Sequence, residues 1–259
     1  MQSDLHNPTL RVINTLNLVD SYRTGISMSE ISSQLQIPKS TLSPILRTLV
    51  SCNFLNLNDN GEYTCSFNLF QLGLDYSGHL DVLSVIKKQM EVAVEKIGEI
   101  VQFGILDQDQ VLYLEKVNTK ENIEIVSSVG MKLPASATAI GKALLSGLSD
   151  AKLEAMYSNY VFKKFTENTI TSFDRLLEEI HAVRKNGYAV ENQEISMHTS
   201  CIAVPIKVDG CIKGAISATY PLFRYRQGKV EHIITILLDQ KNIIEKIITV
   251  QGMDLNFTK

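Results

Sequence analysis

Apolar residues recur at helical spacing at the start of the chain. Leu10, Ile13, Leu16 and Val19 form one stripe from Asn7 to about Tyr22, and Gly25 interrupts it. Ser27-Met28-Ser29-Glu30 then fits a capping box, in which hydroxyl and carboxylate close the free backbone donors of a new helix. That helix turns Met28, Ile31 and Leu35 inward and stops at Ile37-Pro38, because proline disfavours helix in the residue before it. A third helix follows with Leu42, Ile45, Leu46 and Leu49 on one face. Beyond it, Phe54–Leu57 and Glu62–Phe67 flank Asn58-Asp59-Asn60-Gly61, where Asn-Gly can supply the positive φ angles of a tight hairpin. Three short helices and a hairpin are the order of a winged helix-turn-helix.

From about Leu69 to Ile97 a second helical region carries Leu80, Leu83, Ile86, Met90 and Val94 on one stripe and ends near Gly98. It reads as a connection between domains and as a candidate dimer seam. The rhythm then changes to strands. Ile100–Leu106 and Val111–Val117 bracket Asp107-Gln108-Asp109-Gln110, and Ile123–Val129 follows. Helices are predicted over Thr138–Ser146, Asp150–Tyr157 and Ser172–Lys185, the last closing near Gly187. Strands return at Tyr188–Val190, Cys201–Lys207 and Cys211–Thr219, with Asp209-Gly210 joining the last two, and a final helix runs from about Gln227 to Val250. Strands, helices, strands and a closing helix predict an α+β domain on an antiparallel sheet. The expected organisation is a winged helix in residues 1–68, linker helices in 69–98 and an α+β domain in 99–259.

Composition narrows the class. A 259-residue chain with 44% hydrophobic and 20% charged residues can bury one large core or two smaller ones and is not disordered or low-complexity. No stretch reaches the ~18 apolar residues of a membrane helix; the best, Ile233–Val250, is cut by Asp239, Lys241, Glu245 and Lys246. Met1-Gln2-Ser3-Asp4 is not the start of a secretory signal, so a cytoplasmic protein without membrane contact is expected. Cys52, Cys65, Cys201 and Cys211 show no C-x-x-C pair and no histidine at ligand spacing, so no metal, cofactor or disulfide framework is expected.

The helix-turn-helix order points to DNA, because the motif's second helix enters the major groove with its N-terminal residues on base edges. Here Lys39 can neutralise phosphate, Ser40, Thr41 and Ser43 can bond phosphates or bases, and Arg47 can read guanine. Ser29, and Asn60 and Tyr63 of the wing, complete the candidate contacts. Residues 1–78 nevertheless hold four basic and six acidic residues, where a phosphate-driven binder shows a basic patch. The alternative is a ligand-sensing module that acts through protein contacts with a degenerate winged helix.

Gly130-Met131-Lys132-Leu133-Pro134-Ala135-Ser136-Ala137-Thr138-Ala139-Ile140-Gly141-Lys142-Ala143-Leu144-Leu145 resembles the signature of the IclR family of bacterial transcriptional regulators. Met28-Ser29-Glu30-Ile31 through Ile37-Pro38-Lys39-Ser40-Thr41 is similar to its helix-turn-helix. Gly187-Tyr188-Ala189, Glu194 and Cys201-Ile202-Ala203-Val204-Pro205-Ile206 are similar to its C-terminal half. The resemblance implies a winged helix, a linker helix and a GAF/PAS-like domain that binds a small effector, a small carboxylate or aromatic acid. It also implies a homodimer or dimer of dimers on double-stranded operator DNA that represses or activates catabolic genes, with repression the expected mode.

By position, the resemblance assigns the effector contacts to Ala139 and Ile140 before Gly-Lys, to Glu191, to Thr199 and Cys201, and to Ser217 and Thr219. Residues 217 and 219 share one face of their strand, as that role requires. Three positions depart from the pattern: Pro44 where the family commonly has Arg, His198 where it has Gly, and Ser136 where it often has His. Pro44 suggests a helix that starts at Ser43 or kinks, and the other two lie near the implied pocket. Each residue also has a plainer reading. Gly141-Lys142 lacks the spacing of a phosphate loop and leaves Lys142 on a helix surface. Cys201 is equally a buried thiol, Glu191 equally a solvated strand end, and Ser217 and Thr219 equally ordinary strand residues. His198 reads first as a loop residue. Catalysis is not expected: Cys201 and His198 are the one conceivable dyad, and three residues apart on an extended segment they face opposite ways.

Overall fold

The structure is a computed structural model and describes residues 5–22, 24–74, 80–120, 125–255 and 257. By contacts the chain forms two compact units, Met1–Ser77 and Gly78–Lys259.

The first unit contains α1 (Asn7–Asp20), β1 (Ile26–Ser27), α2 (Met28–Leu35), α3 (Lys39–Ser51), β2 (Leu55–Leu57), β3 (Glu62–Cys65) and α4 (Phe67–Leu74). The predicted capping box forms: Ser27 Oγ accepts from the Glu30 amide while Glu30 Oε2 accepts from the Ser27 amide at 2.9 Å. A left-handed Gln36 ends α2. The core is Val19, Ile26, Ile31, Ile37, Leu42, Leu46, Leu49 and Leu55. Three details differ from the sequence reading. Ile13 is exposed, and α1 instead turns Val12, Thr15, Leu16 and Val19 inward. Ile26–Ser27 adds an unforeseen strand, pairing Ile26 with Tyr63 in a three-stranded sheet of order β1-β3-β2. At the wing tip only Gly61 has positive φ, because Asn58 Oδ1 accepts from the Asn60 and Glu62 amides and closes the loop itself.

Pro44 does not delay α3, which begins at Lys39 and carries the proline within it. Pro44 has no N–H for the carbonyl four residues back, that of Ser40. Both residues lie on the exposed side, where water can take that carbonyl.

The second unit contains α5 (Leu80–Ile97), β4 (Ile100–Asp107), β5 (Gln110–Val117), β6 (Lys132–Pro134), a 3₁₀ turn (Ala135–Ala137), α6 (Ala139–Leu145), α7 (Asp150–Tyr157), α8 (Phe173–Asn186), β7 (Ala189–Asn192), β8 (Thr199–Val208), β9 (Cys211–Pro221) and α9 (Lys229–Gln251). The strands form one antiparallel sheet of order β6-β5-β4-β9-β8-β7. The strand expected over Ile123–Val129 is not seen in its described part, 125–129; residues 121–124 lie outside the described set, and Lys132–Pro134 supplies the edge strand instead.

Period-2 alternation separates the sheet's two faces. Val101, Phe103, Ile105, Ile202, Val204, Ile206, Ile216 and Ala218 pack on Val82, Ile86, Met90 and Ala93 of α5 and on Ile233, Leu237, Ile244 and Ile248 of α9. Of the α5 stripe, Ile86 and Met90 are therefore buried inside their own unit and not available as a dimer seam, while Leu83 and Val94 are half-buried. The opposite face receives α6, α7 and α8 through Ala139, Ile140, Ala143, Leu145, Leu153, Leu176 and Ile180.

α6 lies unusually close to the chain that precedes it. A Cβ on Gly141 would overlap the carbonyl oxygen and Cα of Ala135. Gly141→Ala is expected to destabilise the second unit by roughly 3 kcal/mol through overpacking. Gly130→Ala has open space and only a left-handed φ of +84° to overcome, so it should cost about 1–2 kcal/mol. Urea unfolding of the two variants measures the difference.

Candidate functional site

The sheet's α6 face is apolar at Val111, Ala189, Ala203 and Ala215 but polar along two cross-strand rows. In one, Glu191 of β7 pairs with Cys201 of β8, which pairs with Thr219 of β9. In the next, Ala203 pairs with Ser217, which pairs with Gln102 of β4. Antiparallel partners share a face, so the rows lie side by side. Above them lies a small cavity of about 40 Å³, partly open to solvent. Ala139 and Ile140 at the start of α6 line it, and so do Glu191, Thr199, Cys201, Ser217 and Thr219. All seven residues singled out in the sequence thus meet at one cavity.

Its other walls were not read from the sequence: Gln102, Tyr113, Ser127, Leu133, Thr138 and Ile195 are among them. A polar Gln102 inside the apolar run Ile100–Leu106 was the one available signal. Neither His198 nor Ser136 lines the cavity. His198 is exposed, while Ser136 is buried beside Tyr160. The Cys201–His198 dyad does not exist, and burial raises the Cys201 thiol well above its usual pKa.

Glu191 is not a solvated strand end. It is 2% exposed, and its Oε1 accepts from the amides of Glu194 and Ile195. Cys201 Sγ lies 3.2 Å from Thr219 Oγ1 and also hydrogen-bonds Glu191. Burial outweighs these bonds and raises the Glu191 pKa. Lys142 also departs from its expected surface position, being 1% exposed. Its Nζ donates to the Val190 carbonyl at 2.8 Å and to Glu194 Oε1 at 2.5 Å, with Glu179 Oε2 at 3.6 Å. This ammonium ties α6, the roof of the cavity, to the 190–195 segment that forms one wall.

The first unit presents a second surface. Lys39, Ser40 and Arg47 are exposed on α3, with Thr41 and Ser43 half-buried. Lys39 Nζ donates to Ser29 Oγ at 2.8 Å, which joins two of the candidate contacts. Asn60 is exposed at the wing tip. Tyr63 is half-buried against the unit's core and is not a free wing side chain.

The family model described as the IclR helix-turn-helix domain matches residues 9–58, and that described as bacterial transcriptional regulator IclR C-terminal matches residues 74–245. The chain belongs to the IclR family. It is 31% identical over 197 residues to the HTH-type transcriptional regulator XynR of Escherichia coli, covering 76% of this chain and 78% of XynR. It is 28% identical over 238 residues to the regulator KdgR of the same organism, covering 91% of this chain and 90% of KdgR. Among solved structures, an IclR homolog from Microbacterium hydrocarbonoxydans complexed with 4-hydroxybenzoate matches with a TM-score of 0.82 and 26% identity, covering 92% of this chain and 98% of that one. Relatives and fold neighbours are transcriptional regulators rather than enzymes. Among the described residues no group of three or more His, Cys, Asp or Glu side chains is placed to hold a metal, and no helix is long and apolar enough to cross a membrane.

The IclR-type wall around Lys142 carries a pH signature. Burial raises the Glu194 pKa to about 7 despite the adjacent ammonium. A carboxyl whose folded pKa exceeds its unfolded value of 4.5 contributes stability that is complete below the unfolded pKa and is lost as pH rises through the folded one. Glu194→Gln is therefore expected to flatten the fall in Tm between about pH 5 and about pH 8. Melting curves of both proteins at the two pH values check this; equal slopes would remove Glu194 as the source.

Proposed function

We propose that this IclR regulator is a cytoplasmic repressor whose hold on operator DNA changes when a small carboxylate or aromatic acid occupies the cavity above β8 and β9. The observation that carries the reading is the cavity's construction: four hydroxyl- or thiol-bearing strand residues, Thr199, Cys201, Ser217 and Thr219, lie under the apolar roof of Ala139 and Ile140. Hydroxyls hold a ligand's oxygens while the roof excludes water. The 4-hydroxybenzoate bound to the Microbacterium homolog supports an acid of this class.

DNA is bound through Ser29, Lys39, Ser40, Thr41, Ser43 and Arg47, with Asn60 at the wing and Tyr63 supporting it from the core. A homodimer, alone or paired with a second, places two copies of α3 on half-sites one helical turn apart, ~34 Å. A hundredfold change in operator affinity requires ~2.7 kcal/mol of differential effector binding. Coupling has a short physical route. β4 forms part of the cavity floor through Gln102, while its opposite face packs in one cluster with α5, the helix that begins the second unit.

Arg47→Ala should weaken operator binding by roughly tenfold or more through loss of one bidentate contact, with effector affinity unchanged, as read by mobility shift and calorimetry. Unchanged operator affinity would move the DNA face away from α3. Ser217→Ala with Thr219→Val should keep operator binding and abolish release by the acid. A full response would place the effector elsewhere.

A further inference from the structure

The cavity holds one polar group that the fold itself does not use. Gln102 is 1% exposed in the middle of β4, and its Nε2 has no hydrogen-bond partner among the described residues. Buried amide donors are nearly always paired, and leaving one unpaired is costly. The neighbouring hydroxyls determine what this amide offers. Ser127 Oγ donates to Gln102 Oε1 at 2.9 Å. Each hydroxyl has a single proton, and that of Ser127 goes to the amide oxygen, which leaves the amide nitrogen to the cavity. Lys116, the β5 partner of Gln102, anchors Ser127 by donating to its carbonyl at 3.1 Å.

Beside the amide, across the β4–β9 pairing, stands Ser217. Two neutral donors therefore flank one point of the cavity. Its lining contains no Lys, Arg or His among the described residues, and it contains the carboxyl of Glu191. Such a site accommodates one ligand anion at most, because a second charge would meet Glu191 without a compensating cation.

We propose that Gln102 is the effector-selecting residue: its amide nitrogen, with the Ser217 hydroxyl, receives the carboxylate of a monocarboxylic acid, and dicarboxylates and phosphate esters are refused. The inference rests on the carboxylate reading above and adds both a residue and a charge limit to it.

Calorimetry and thermal melting of the full chain test this with pyruvate, benzoate and 4-hydroxybenzoate as probes, against succinate, phthalate and benzamide. At least one monocarboxylate is expected to bind and stabilise the wild type, and the dicarboxylates and benzamide are not. Gln102→Met should weaken that monocarboxylate roughly ten- to a hundredfold, the loss of one hydrogen bond to a charged group, without lowering the Tm of the ligand-free protein. Ser127→Ala frees the amide oxygen and should weaken binding about threefold, a fraction of one such bond; it decides the matter if Gln102→Met does not fold. Wild-type affinity in folded Gln102→Met, or in Ser127→Ala if Gln102→Met does not fold, with affinity lost in the Ser217→Ala, Thr219→Val double variant, would overturn the role of Gln102 and leave the carboxylate reading standing. Preferential binding of benzamide or of a dicarboxylate would overturn the proposed charge selection. No binding by any acid at about 10 mM, far above the weak affinities expected of such small ligands, would defeat the carboxylate reading itself.

Discussion

Burying the Lys142 ammonium under the roof of the cavity obliges acceptors to come to it, since an isolated buried charge is not tolerated. The acceptors are the Val190 carbonyl and Glu194, so the chain between β7 and β8 is drawn against α6. That same stretch supplies two amides to Glu191 and places Ile195 in the cavity wall. Gly141, one residue earlier, lets α6 approach the Ala135 backbone more closely than any side chain would permit. The Gly-Lys pair, read alone as a helix surface, is thus the joint on which roof, wall and floor of the cavity depend.

The sheet then divides labour by alternation. Its α5/α9 face is largely apolar, and burial of its side chains stabilises the second unit. Its α6 face gives up some of that burial for Gln102, Glu191, Ser217 and Thr219, which are 1–5% exposed. A fold optimised only for stability would fill those positions with apolar side chains. Polar groups retained there, one of them without a partner, are the mark of a surface prepared for a ligand.

The two units also differ in how their chemistry is displayed. The cavity assembles residues from Gln102 to Thr219, whereas the candidate DNA face is local to α2, α3 and the wing. The first unit has few basic residues, so the proposed DNA contact rests on the hydroxyls and two cations of α3, and Pro44 lies on the exposed side of that helix without interrupting it.

Local patterns were sufficient for most of the architecture. The capping box at Ser27–Glu30, the helix ending at Gly187 and the Asp209-Gly210 turn are set by interactions within a few residues, and each forms as its sequence predicts. Five of the six strands of the sheet were legible because their alternation is a short-range property. The family signature located seven cavity residues, since motif positions carry their places in a fold with them. Other features were invisible in one dimension. Ile26–Ser27 becomes a strand only because β3 lies beside it, and residues 125–129 are left out of the sheet because 132–134 take the edge of β5. The stripe on α5 looks the same whether it meets a second chain or α9. Whether Lys142 is surface or core, and whether the Gln102 amide is paired or free, depends on which distant groups arrive beside it. Most elements and the family were thus legible along the chain, whereas the burial, partners and protonation of the groups between them were settled by the tertiary structure, because these are long-range electrostatic and packing properties.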